Sequence, residues 1–289
     1  MRLFPRCEGC RIYFARPIGI SRTPNEVYIC WICYLILFKV LYPHRTHFAS
    51  FQLLPIHHFN MAFITPAMEA VFNYDNFRLA PNFDAQAQSA LLRPNPKLEQ
   101  CLANSTAKGL PPISVLPMAG QHLSILTQLM GVKSVLEIGT LGGYSTICFA
   151  EAGAKVTSIE IDPKHRDTAL ENVKGLEAEI LLGSALDVLP KLAEEGRQFD
   201  MVFIDADFED QWEHFDWAVK LTRPGGCIFL DDVIPSMIKN GVQEGGETIL
   251  TKIGRDERVQ ATLMPTVACH SMIPTPVFTG FILAVVKSH

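Results

Sequence analysis

The sequence predicts a doubly wound α/β fold: a mostly parallel seven-stranded sheet with helices on both faces, further helices ahead of it, and an antiparallel C-terminal hairpin. Three observations carry this. Short apolar runs alternate with amphipathic helical stretches from residue 134 onward, a rhythm that calls for parallel strands with right-handed crossovers. Hydrophobic residues make up 48% and charged residues 19% of the 289, a globular balance that excludes a largely disordered or fibrous chain. The last two apolar runs follow a proline-containing link rather than another long helix, so they close the sheet as a hairpin at its edge.

Residues 61–130 read as helices punctuated by proline. Thr65 and Pro66 pair an N-cap with a first-turn proline ahead of AMEAVFNYDNF. DAQAQSALL and PKLEQCLANSTAKG are the next two candidates, and KGLPP at 108–112 is a break. The stretch 118–130 then sets Leu123, Leu126, Leu129 and Met130 on one helical face. Strands are expected at 134–138, 155–159, 179–182, 201–205 and 227–230, with helices at 144–152, 163–174, 185–193 and 208–221 between them. Strands at 258–264 and 277–286 complete the sheet. Ligands in such folds bind at the carboxyl ends of the strands.

The first sixty residues differ in kind. They hold seven Lys/Arg against two Asp/Glu and 11 of the 27 aromatic residues, whereas the remainder holds 18 against 28. An acidic body of that sort excludes a sequence-independent grip on nucleic acid. Cys7–Cys10 and Cys30–Cys33 have the spacing of a four-thiolate zinc ribbon, but the second pair lies inside the apolar run 27–42 instead of a glycine-rich turn. That run, with Lys39 inside it and basic flanks, is just short of a bilayer span. The reading preferred to a zinc site or a membrane anchor is an extension, 1–60, outside the fold, followed by one domain at 61–289.

The chemistry sits at the strand ends. VLEIGTLGGYSTICFA places glycines at 139, 142 and 143, which permit a tight turn and close backbone approach, and an acidic Glu137 in an otherwise apolar strand. The spacing is not G-x-G-x-x-G, so a dinucleotide fingerprint is not met. Glu160 ends the second strand, where a carboxylate can accept both ribose hydroxyls. VFIDAD brings Asp205 and Asp207, and IFLDD brings Asp231 and Asp232, to one edge of the sheet. Carboxylates so concentrated raise one another's pKa or call for a cation, and Asp205, Asp231 and Asp232 are hard oxygen ligands suited to Mg²⁺, Mn²⁺ or Ca²⁺.

With VLEIGTLGGYST, SIEID, GSALDVLP, VFIDAD and RPGGCIFLDD in this order, the sequence resembles the cation-dependent O-methyltransferases of the caffeoyl-CoA and catechol type, over about residues 85–287. The resemblance implies a Rossmann-like methyltransferase fold using S-adenosylmethionine. It implies that Glu137, Gly139 and Ser145 contact the methionine part, Glu160 the ribose and Ala185 the adenine, with Asp207 near the cofactor. It implies that Asp205, Asp231 and Asp232 hold a divalent cation, most simply Mg²⁺, so that Asp205 serves catalysis through the metal. Residues 65–120 correspond to an N-terminal lid. Two positions depart from the pattern. Asp232 stands where Asn is common, and Phe208 stands where a lysine often assists deprotonation, leaving the general base unassigned. Glu209 and His214 are nearby in sequence and read as solvated helix residues.

Methyl transfer to a hydroxyl of a small vicinal diphenol then follows, with the cation orienting two adjacent hydroxyls. The acidic body argues against a polyanionic CoA thioester. Two other readings compete: a nicotinamide-dependent oxidoreductase, which lacks its glycine fingerprint and a Tyr-x-x-x-Lys pair here, and a non-catalytic cofactor-binding protein on the same fold. The expected setting is cytoplasmic, with membrane contact only if 27–42 is an anchor, and a homodimer is the assembly left open. A chain starting at Met61 is expected to fold and bind cofactor as well as the full chain. Loss of folding, or release of stoichiometric zinc on truncation, would make 1–60 an integral module.

Overall fold

The computed structural model describes residues 74–241, 246–269 and 275–288. The cysteine pairs, the 27–42 run and the Thr65–Pro66 cap lie outside these residues. A 3₁₀ helix, Tyr74–Leu79, leads into α1 (Ala80–Leu91), α2 (Pro96–Ala107) and α3 (Pro117–Leu129). The alternating part follows as β1 (Ser134–Ile138), α4 (Tyr144–Glu151), β2 (Lys155–Glu160), α5 (Pro163–Asn172), β3 (Ala178–Leu182), α6 (Ala185–Glu194), β4 (Phe199–Ile204), α7 (Gln211–Leu221) and β5 (Thr222–Leu230). It ends with α8 (Val233–Asn240), α9 (Ile249–Arg255), β6 (Val259–Ala268) and β7 (Val277–Val286). The seven strands lie in the order β3-β2-β1-β4-β5-β7-β6, parallel from β3 to β5, with β7 antiparallel to both β5 and β6. The doubly wound sheet and its terminal hairpin are therefore as the sequence predicts.

Strand periodicity divides the core into two layers. Leu136, Ile138, Val202, Ile204, Ile228 and Leu230 face one way, against Leu189 and Leu192 of α6 and Phe215 and Ala218 of α7. Val135, Met201, Phe203, Cys227 and Phe229 face the other way, against Leu123 of α3 and Phe149 of α4. A strand buried on both faces must be apolar throughout, which is why these runs stood out in the sequence.

Two expectations need correction. The face of α3 assigned to Leu123, Leu126, Leu129 and Met130 does not hold, because Leu129 is 82% exposed and Met130 also reaches solvent. Leu129 lies six residues beyond Leu123, about 120° round the helix, and Met130 is already the C-cap. The buried stripe is Gly120, Leu123 and Thr127. The proline-containing link between β5 and β6 has no long helix, as expected, but two short ones of 8 and 7 residues. Pro235 stands in the first turn of α8, where its missing N–H costs nothing, and a capping box between Thr248 and Thr251 starts α9. Finally, α7 begins at Gln211, three residues later than expected, because Asp207 Oδ1 accepts the Asp210 N–H in a turn of its own.

The feature that shapes the binding edge is the exit of β1. Beyond the strand ends the ladder continues, with Gly139 N–H donating to Ile159 O at 3.0 Å and Asp205 N–H to Ile138 O at 2.9 Å. Gly139 has φ +94°, and a Cβ there would fall 1.9 Å from the Asp205 carbonyl oxygen. Gly153 has a comparable φ of +99° with nothing within 4 Å. Gly153→Ala should therefore cost only backbone strain, about 1 kcal/mol, while Gly139→Ala adds a steric overlap and should cost at least ~2 kcal/mol more in urea unfolding. Equal costs would show that β1 and β4 do not press together at this point.

Candidate active site

The cavity at the carboxyl ends of β1, β2 and β4 has a volume of about 630 Å³, a size suited to a small-molecule ligand. Of the residues singled out from the sequence, Gly139, Ser145, Glu160, Ala185, Asp205, Asp207 and Asp232 line it. Glu137 and Asp231 are not on its wall.

Glu137 is fully buried beneath the glycine turn. It accepts hydrogen bonds from Ser145 at 2.6 Å, Ser158 at 2.5 Å and the Thr146 hydroxyl. Burial pushes its carboxyl up to about 7, against the pull of these three donors. Glu137 thus lies behind the wall: it holds Ser145, and Ser145 faces the cavity. A buried acid was legible in the sequence, but not the ring of hydroxyls that satisfies it.

Glu160 ends β2 on the cavity wall with both oxygens engaged. Oε2 accepts the backbone N–H groups of Thr140 at 3.1 Å and Leu141 at 2.7 Å, and Oε1 accepts that of Asp162 at 2.9 Å. The carboxylate therefore ties the glycine turn to the end of β2. His165 Nδ1 lies 3.7 Å from Oε1, set there by the N-cap of α5, where Asp162 Oδ1 accepts from Lys164 N and His165 N. Ala185, first residue of α6, closes this side with Gly183 and Ser184.

The opposite side is acidic. Asp205 follows β4, and Asp231 and Asp232 follow β5, joined by the Asp231 N–H to Ile204 O bond of 2.9 Å. Burial and then the charges of Asp231, Asp232 and Glu137 raise the Asp205 carboxyl well above its ordinary range, with nothing acting to lower it. Burial and Asp232 push Asp231 up to about 6. Asp232 has φ +52°, a left-handed conformation that Asn and Asp adopt at least cost, and its Oδ1 accepts from the Thr279 hydroxyl at 2.9 Å. The left-handed turn suits Asp and Asn alike. Hard oxygen donors with mutually raised pKa values fit a divalent cation in their chemistry. Among the described residues, though, no three His, Cys, Asp or Glu side chains are drawn together tightly enough to form a metal cluster as they stand.

Several wall residues had no signal in the sequence. Ile113, Ser114 and Val115 come from the loop after α2, the part of the 65–120 stretch that reaches the cavity. Lys239 of α8 is there, 2.5 Å from Glu209 Oε1 and 5.6 Å from the centre of the Phe208 ring. His214 is not a solvated helix residue, being 3% exposed on the inner face of α7 with Gln211, Phe215 and Ala218. Burial lowers its pKa from the ordinary histidine value, and Nδ1 has no hydrogen-bond partner among the described residues. Glu209 does stay on the surface, paired with Lys239.

A doubly wound sheet of this strand order, with a cavity at its carboxyl edge walled by Glu160, Asp205, Asp207 and Asp232, fits an enzyme acting on a small molecule. Comparison with known proteins agrees. The chain belongs to the O-methyltransferase family, whose profile matches residues 88–269. It is 35% identical to the O-methyltransferase imqG of Aspergillus flavus over 253 residues, 78% of this chain and 100% of that one. It is 39% identical to a catechol O-methyltransferase of Niastella koreensis over 199 residues, 64% of this chain and 87% of the relative. The crystal structure of an O-methyltransferase from Bacillus cereus in complex with SAH superposes with a TM-score of 0.64 at 35% identity, covering 71% of this chain and 97% of that one. The nicotinamide oxidoreductase reading is thereby set aside. No helix among the described residues is long and apolar enough to cross a membrane.

Proposed function

We propose that the protein transfers the methyl group of S-adenosylmethionine to one hydroxyl of a small vicinal diphenol, with a divalent cation, Mg²⁺ in the simplest case. The observation that carries the reading is the shared cavity: Glu160 on one wall, Asp205 and Asp232 on the other. Ser145 and Tyr144 at the start of α4, with the turn from Gly139, form the floor suited to the methionine end. Glu160 has lone-pair capacity left at Oε1 for a ribose hydroxyl, and Ala185 lies beyond it for the base. Support also comes from the relatives, one of which carries the name catechol O-methyltransferase, and from the SAH held by the Bacillus cereus enzyme.

Asp205, Asp231 and Asp232 would hold the cation, which as a Lewis acid lowers the pKa of a bound hydroxyl and orients it. The chain's own part is positional. The cavity walls exclude water and hold the two reactants together, removing much of the entropic cost of a bimolecular step. Phe208 offers no proton acceptor, and its ring gives an apolar contact for a flat aromatic substrate.

Four outcomes test this. Glu160→Ala should weaken S-adenosylmethionine binding roughly 10–100-fold by calorimetry, the equivalent of ~1.5–3 kcal/mol for a lost charged hydrogen bond. The initial rate on catechol should vanish in EDTA and return with Mg²⁺. Asp205→Ala should abolish that rate while leaving cofactor affinity within a few-fold, and Asp232→Asn, which suits the left-handed turn, should be tolerated better. Full activity in EDTA would remove the cation from the mechanism.

A further inference from the structure

The peptide joining two glycines has the least hindered plane in a chain, and Gly142–Gly143 is such a peptide, buried between the cavity residues Leu141 and Tyr144. It is pinned on both sides. The Gly143 N–H donates to Thr140 O at 2.8 Å. The Gly142 carbonyl accepts from Asn172 Nδ2 at 2.8 Å and from the Cys101 thiol at 3.2 Å.

Asn172 itself is only 8% exposed and ends α5. Its Nδ2 also reaches Ser105 Oγ at 3.4 Å, and its Oδ1 accepts from Asn104 Nδ2 at 2.8 Å. Both donors come from, or lead to, helix α2. That helix rests directly on the turn: a Cβ on Gly142 would fall 2.2 Å from Ser105 Oγ. Asn172 does not line the cavity. Whatever it does for a ligand passes through the Gly142 carbonyl.

What that carbonyl controls is the start of α4. Gly143 is the N-cap, with φ +84° and no side chain to cap the helix, and the next two residues, Tyr144 and Ser145, face the cavity. Rotating the 142–143 peptide would change the Gly143 backbone and swing both side chains. We propose that Asn172 is a positioning residue for the cofactor, locking the Gly142–Gly143 peptide from behind and coupling it to helix α2. This rests on the reading of the cavity as the S-adenosylmethionine site.

The substitution Asn172→Asp keeps the size and the acceptor for Asn104. It removes the donor and sets a carboxylate oxygen against the Gly142 carbonyl, favouring a rotated peptide. In the full-length protein, calorimetric Kd and steady-state KM for S-adenosylmethionine should rise about tenfold, the size of one lost hydrogen bond. Turnover on catechol at saturating cofactor and Mg²⁺, and the KM for catechol, should stay within twofold. Asn104→Ala, which frees the Asn172 amide without touching the turn, should raise the cofactor KM about two- to threefold. If Asn172→Asp does not fold, Asn104→Ala carries the test, and an unchanged cofactor KM there overturns the proposal. A fall in turnover with both KM values unchanged overturns it as well. A wild-type chain that binds S-adenosylmethionine alongside an Asn172→Asp chain that binds it equally well overturns the positioning role alone. A wild-type chain that binds none overturns the cofactor reading and this proposal together.

Discussion

The binding edge depends on the absence of one methyl group. Between Gly139 and the Asp205 carbonyl there is room for a hydrogen and nothing larger. That contact lets the ends of β1 and β4 sit side by side, so the glycine turn that leaves one strand and the aspartates that leave the other share a cavity. Had any other residue followed β1, its Cβ would overlap the Asp205 carbonyl and push the two halves apart. The rest of the edge is built outward from this pinch: Glu160 latches the turn to β2, and Asp231 extends the ladder from β4 to β5.

Two kinds of buried acid follow from that crowding, and they behave differently. Glu137 has three hydroxyl donors and is a closed, satisfied unit. Its work is to fix neighbouring side chains. Asp205 sits on the cavity wall, where burial and the like charges of Asp231, Asp232 and Glu137 raise its proton affinity. A carboxylate left in that state is costly to the fold unless something positive or a proton comes to it, the usual mark of a residue kept for chemistry rather than stability.

The sheet was legible because strands buried on two faces cannot hide their apolar runs, and β1 and β7 match their expected bounds to the residue. The acids at the strand ends were legible for the complementary reason, being charges where apolar residues were due. What was not legible depends on the third dimension. Nothing local marks Ile113–Val115 or Lys239 as cavity residues, since each arrives from an element distant in the chain. His214 was misjudged because the helix face it occupies is defined by Gln211, Phe215 and Ala218 together, two of them polar or small. Leu129 and Met130 misled in the other direction, as apolar residues at a helix end that face solvent. The left-handed backbone at Asp232 was not legible either, and it suits Asp and Asn alike.

The strand order also sets a schedule for assembly. Although β7 follows β6 in the chain, it lies inside it, between β6 and β5. While the protein is being synthesised, β5 therefore remains an open edge after all the parallel strands have been made, with unpaired backbone groups able to recruit another chain. Only when residues 277–286 emerge is that edge covered, and with them comes Thr279, the hydroxyl that holds Asp232. A nascent chain released before that point would carry every residue of the turn and the Glu160 latch. It would lack the strand that closes the sheet, and its last aspartate would be untethered.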